Sequence, residues 1–263
     1  MIRSVVVADG DGESAAPMAV GAELARRTRA PLRTIVAPVS GRGRVARHVA
    51  SAVARNDSPV ICVVDETAWD RRPVFGTVAS AVLAGVDAAL VLVGPRCDER
   101  RWAAGTNLFV CLDGSALSEV VLPVAADMAS TLGLALSLLR VAAPTAGPRL
   151  GSDVDPPDVI EGSDLARVAA ALRRGGHRST WEVLHGRRAA PAVVDHAAAN
   201  GAALLALASH GLGHNRGELG RVARRVVADS SVPVLLTPAR SLWQAVLALA
   251  DPPVPLGGSA PRS

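Results

Sequence analysis

Apolar runs of strand length alternate along this chain with stretches of helical pattern. The first run, Ser4 to Gly10, closes on Asp9-Gly10 and is followed by a helical stretch, Ala15 to Thr28, and a second run, Leu32 to Ala37. A helical pattern at Val45 to Arg55 precedes the run Pro59 to Val64, and Gly76-Thr77-Val78-Ala79 opens a short helix before Ala88 to Pro95. Unbroken apolar runs separated by helices predict βαβ units and a parallel sheet covered on both faces.

The pattern then recurs, as an internal repeat would. Asn107 to Leu112 closes on Asp113-Gly114-Ser115, with a helical stretch at Leu117 to Leu132 and a run at Leu134 to Val141 after it. Gly220-Arg221-Val222-Ala223 opens a helix and the closing run Val232 to Pro238, matching the end of the first half. The expected fold is α/β, two tandem doubly wound parallel-sheet domains of Rossmann-like type. The first domain covers 1–95, a polar linker 96–106, and the second domain 107–238. Residues 239–263 hold a short helix around Ser241 to Ala250 and a disordered tail rich in Pro and Gly.

The second copy is longer than the first. It adds a Pro/Gly/Asp-rich loop (Pro144 to Glu161), a helix (Ser163 to Arg174) and a strand (Thr180 to Gly186), then continues with a helix (Ala190 to Ala199) and a strand (Ala203 to Ala208). The first copy is therefore read as a trimmed, four-stranded half that lacks an edge strand, the element whose loss costs only one neighbour its hydrogen bonds.

Composition narrows the chemistry. All 28 basic residues are arginine, so the lysine of a Walker-A loop and that of a pyridoxal Schiff base are both ruled out. Arginine-only basicity is read as codon bias of a GC-rich genome. The arginines are scattered, and aromatics make up 2% of the chain, which argues against a nucleic-acid partner because no stacking platform exists. No apolar run approaches the roughly 20 residues of a membrane span. The opening residues have no signal-peptide layout, and a cytoplasmic location is expected. Cys62, Cys97 and Cys111 are widely spaced without CxxC, which suits core thiols in a reducing compartment.

Two features could carry binding. Asp9 and Asp113 each end a first strand, where ligands enter open parallel sheets. A carboxylate there accepts hydrogen bonds from a ribose or an adenine amine, and equally serves a turn or helix cap. Ala208-Ser209-His210-Gly211-Leu212-Gly213, followed by Gly217 and Gly220, could turn backbone N–H groups inward around a phosphate, or simply be a loop. His210 and His214 lie on this loop without a third ligand, which argues against zinc. Asp195 and His196 have no nucleophile placed by any pattern, and His48 and His185 read as ordinary surface or partly buried residues.

Asp113-Gly114-Ser115, the Ser209-His210-Gly211 loop, the Gly220 turn and Val232-Pro-Val-Leu-Leu resemble, in that order, the universal stress protein family. The likeness runs from Asn107 to Pro238, with a weaker version over Ile2 to Pro95. It implies an adenine nucleotide alpha hydrolase-like fold and a regulatory, stress-response role without catalysis. It also implies an ATP site in the second domain at Asp113, Gly114, Ser115, Val141, Ala208, Ser209, His210, Gly211, Gly220, Arg221 and Val222. ATP-binding members share Gly-two residues-Gly, nine residues, Gly-Ser/Thr. Here Ala208 replaces the first glycine, eight residues separate Gly211 from Gly220, and Arg221 stands at the hydroxyl position. An arginine can pair with phosphate in its place. The corresponding loop of the first half, Asp65 to Asp70, is acidic and would repel phosphate, so no nucleotide is expected there. The alternative is a nucleotide-free dimerisation module of the same fold. The family's closing strands pair between domains, which implies an intramolecular pseudo-dimer, with a homodimer as further assembly. No metal is expected.

Overall fold

The computed structural model describes residues 4–9, 15–36, 51, 60–65, 89–143, 156–209 and 220–237. The expected helices at Val45 to Arg55 and after Gly76, the His210-Gly211 loop and the tail from 239 lie outside this set, apart from Ser51.

Four strands, β1 (Ser4–Asp9), β2 (Leu32–Val36), β3 (Val60–Asp65) and β4 (Leu90–Val93), belong to the first half. Five, β5 (Asn107–Cys111), β6 (Ala135–Ala142), β7 (Ser179–His185), β8 (Ala202–Ala208) and β9 (Val234–Thr237), belong to the second. They form one nine-stranded sheet in the order β2-β1-β3-β4-β9-β8-β5-β6-β7. All neighbours are parallel except β4 and β9, which pair antiparallel with Val91 opposite Leu235. Outward from that junction the halves read β4-β3-β1-β2 and β9-β8-β5-β6-β7, so β7, which has no counterpart among the described residues of the first half, lies at the sheet edge.

Helices α1 (Ala15–Thr28), α2 (Glu99–Ala104), α3 (Ala116–Glu119), α4 (Val121–Leu132), α5 (Pro156–Arg174), α6 (Ala189–Ala199) and α7 (Arg221–Asp229) flank the sheet. Two apolar layers result, because strands covered on both faces alternate their side chains between them. One layer, with Leu139, Leu205, Leu207 and Leu236, lies under α6 and α7. The other, with Leu108, Leu136, Leu138 and Leu204, lies under α1, α2, α4 and α5.

Three local expectations are corrected. The polar linker 96–106 contains α2, whose first turn is capped by Asp98 accepting from Arg100 N at 2.9 Å and whose Trp102 is 2% exposed. The stretch Leu117 to Leu132 is two helices, α3 and α4, broken at Val120. Pro123 explains the break, since its ring excludes the carbonyl of Glu119 from a continuous helix. The loop drawn to Glu161 ends at Pro156, where a proline starts α5 with a fixed φ suited to the first turn.

Candidate functional site

A cavity of about 360 Å³ opens at the carboxyl ends of β5, β6 and β8. That volume lies in the range of small-molecule sites. Cys111, Leu139, Val141, Val193, Leu207 and Val226 line it with apolar surface, while Asp113, Ser118, Ser209 and Arg221 bring polar groups to it. Parallel strands order this arrangement: each carries its chain to the same end of the sheet, so the turns after β5 and β8 meet there.

Asp113 is built into its own turn. Its Oδ1 accepts from Ser115 N at 2.9 Å and Ser115 Oγ at 2.5 Å, while Asp113 N donates to Ser118 Oγ at 3.2 Å. Burial pushes its pKa up, but the Ser115 hydrogen bonds, with help from Ser118, outweigh it and hold the carboxyl below its ordinary value. Ser115, not Asp113, caps the following helix, accepting from Ser118 N at 3.1 Å. Asp113 therefore shapes the turn with its carboxylate and also lines the cavity.

Of the remaining expected residues, Val141, Ala208, Ser209, Gly220, Arg221 and Val222 line the cavity. Gly114 and Ser115 do not. Gly114 has φ +85, and a Cβ there would stand 3.3 Å from the Arg140 guanidinium carbon. His210 and Gly211 lie outside the described residues. Gly220 also differs from expectation: its N–H donates to Ser209 O at 2.9 Å, so it is not directed at a ligand.

Arg221, Val222 and Ala223, the first turn of α7, line the cavity. The helix has Gly220 as N-cap with no side-chain cap and no acid in its first turn, and Arg224 N is the first to bond back, to Gly220 O at 2.9 Å. The start of α7 also carries three arginines, of which Arg225 pairs with Asp229 while Arg221 is exposed and, among the described residues, pairs with no carboxylate. The positive end of a helix dipole disfavours a cation by about 0.3–1 kcal/mol. The opposite charge is the fitting one at this end. α6 likewise begins uncapped after Arg187 and Arg188, and its Ala189 lines the same cavity.

Three contributors were missed in the sequence. Val193 and Ala189 reach the cavity from a helix that the repeat did not single out. Arg140, 9% exposed, packs behind the Asp113 turn, and the only signal was one charge in the apolar run Leu134 to Val141.

The profile of the universal stress protein family matches residues 106–238, just over half of the 263. The chain belongs to that family. The fold agrees. A universal stress protein from Archaeoglobus fulgidus DSM 4304 superposes with a TM-score of 0.56 at 14% identity, over 90% of this chain and 88% of that one. A putative universal stress protein from Pseudomonas aeruginosa UCBPP-PA14 gives 0.56 at 13% identity, over 95% of this chain and 98% of that one. A universal stress protein from Archaeoglobus fulgidus in complex with dAMP is 24% identical over 50% of this chain and 97% of that one, with a TM-score of 0.39. Comparison with curated proteins gives no match.

Cys111 and Cys97 belong to the packing of the two layers, and burial pushes each thiol up to about 12, with the Glu99 and Asp98 charges adding to the effect at Cys97. Among the described residues no group of three His, Cys, Asp or Glu is placed to hold a metal, and no helix is long and apolar enough to cross a membrane.

Proposed function

We propose that this universal stress protein binds an adenine nucleotide, ATP in the first instance, in the cavity of its second half and acts by regulation rather than catalysis. The observation that carries this reading is the start of α7, an uncapped helix N-terminus with Arg221 at its first position, opening on an apolar cavity that Asp113 closes with a carboxylate. Phosphates suit the first end, since backbone N–H groups and the helix dipole favour negative charge. A base and ribose suit the apolar wall and the carboxylate acceptor. Arg221 takes the place of the family's hydroxyl as a phosphate partner.

In the same reading the first half is a trimmed repeat that binds no nucleotide, and its β4 occupies the edge that β9 offers, so that the two halves form a pseudo-dimer within one chain in the cytoplasm. One observation favours the nucleotide-free alternative: the Gly220 N–H is engaged by Ser209. Thermal shift with three probes separates the two. ATP should raise Tm by more than adenosine or tripolyphosphate does at equal concentration, because only ATP fills both ends. Three flat responses at millimolar concentration would contradict nucleotide binding.

A further inference from the structure

We infer that residues 94–105 form a strap through which the first half of the chain and the nucleotide cavity of the second half regulate one another, an inference that rests on the nucleotide reading above. The N-terminal ends of α6 and α7 form part of the cavity wall. The strap holds the opposite ends of the same two helices. Arg101 Nη1 donates to Ala198 O at 3.1 Å in the last turn of α6. Asp98 N donates to Ser231 O at 2.9 Å just past α7, and Arg96 Nη1 lies 3.6 Å from Asp229 Oδ1, on the last residue of α7. Gly94 approaches α7 so closely that a Cβ there would come within 2.0 Å of the Val227 carbonyl oxygen.

On its other side the strap grips the first half. Arg27, on α1, donates from Nη2 to Ala103 O at 3.2 Å and places its guanidinium carbon 5.6 Å from the Trp102 ring centroid. Trp102 is buried in the layer that also holds Val20 and Leu24 of α1. The exposed Arg96–Asp229 pair contributes little by itself. The Gly94 contact and the buried Trp102 carry the link, because close-packed backbone and ring have no slack to absorb a shift.

α7 has nine residues and spans about 14 Å as a rigid rod. An anion seated at its N-terminus favours one position of that rod, and the far end meets Gly94 and Ser231. Any change there reaches Trp102 and α1, and by reciprocity the docking of α1 changes nucleotide affinity.

Amide hydrogen exchange on the full chain tests this in two steps. In nucleotide-free protein, Arg27→Ala should speed exchange at 224–229, the hydrogen-bonded amides of α7, by about fivefold, the lower end of ordinary coupling. β8 serves as the internal reference for intact folding. Arg27→Lys, which keeps the charge over Trp102, should stay nearer wild type and covers the case in which the alanine variant folds poorly. Wild-type exchange at 224–229 in both variants overturns the strap, whatever ATP does. With saturating ATP on wild type, protection should spread from 112–118 and 221–226 to 97–105 and the end of α1. Protection confined to the cavity segments also overturns the strap while leaving nucleotide binding intact. Protection nowhere overturns nucleotide binding, and with it the regulatory role of the strap.

Discussion

At the scale of single residues, Asp113 links fold and site. Its carboxylate bonds to Ser115 hold the turn, and the same residue lines the cavity. A carboxyl held below its ordinary value stabilises the folded state fully above that ordinary value, and the contribution is lost as pH falls through the folded value. From pH 7 to pH 5 Asp113 therefore stays ionised and remains an acceptor. Nucleotide affinity measured over that interval should show no loss traceable to this group, and Asp113→Asn should weaken binding equally at both ends. An Asp113→Asn penalty that vanishes at pH 5 would show that the carboxyl titrates in that range. Glu23 follows the same sign: the Arg26 hydrogen bonds, foremost, and Arg27 bring it to about 2 against the opposing effect of burial, so its support for α1 is lost between about 4.5 and about 2.

At the scale of elements, α2 is the segment that least resembles its sequence pattern. Asp98-Glu99-Arg100-Arg101 reads as a polar connection, yet the helix turns Trp102 inward while its charges face solvent. Trp102→Ala should lower unfolding stability by about 3–5 kcal/mol in chemical denaturation, the usual cost of emptying a large buried site. Trp102→Phe should cost much less, since it keeps most of the ring and removes an indole N–H that has no acceptor among the described residues. Equal losses for the two would show that the indole nitrogen matters more than its packing.

The strands β5 and β8 were readable because strands buried on both faces are apolar nearly throughout. α2 was not, because a six-residue helix with one buried side chain leaves no periodicity. Its available signal was Asp98 as a cap. In the site, Asp113 could be placed because ligands enter past the ends of parallel strands, and Ala208, Ser209 and Gly220 because they belong to a glycine-rich segment after a strand, whereas Arg221 and Val222 came from the family resemblance alone. Arg140 and Val193 could not, since their proximity depends on how β6 and α6 pack, which sequence spacing does not encode. Gly220 carried the right position and a different role, because its N–H closes the β8 turn onto Ser209.

At the scale of the whole molecule, one sheet runs through both halves, and the antiparallel β4–β9 pairing joins them at its centre. Among the described residues the two ends are unequal: β7 extends the second half, while the first stops at β2 with Leu32 37% exposed. The proposed function carries its own stoichiometry, one nucleotide per chain, in the half with the Asp113 turn and the uncapped α7. Isothermal calorimetry with ATP, on wild type and on Arg221→Ala, tests it most directly. The account predicts saturable binding near one site per chain, and an affinity about tenfold weaker in Arg221→Ala, as expected for a charge-assisted contact to phosphate. No heat at millimolar ATP, or two sites per chain unaffected by Arg221→Ala, would contradict it.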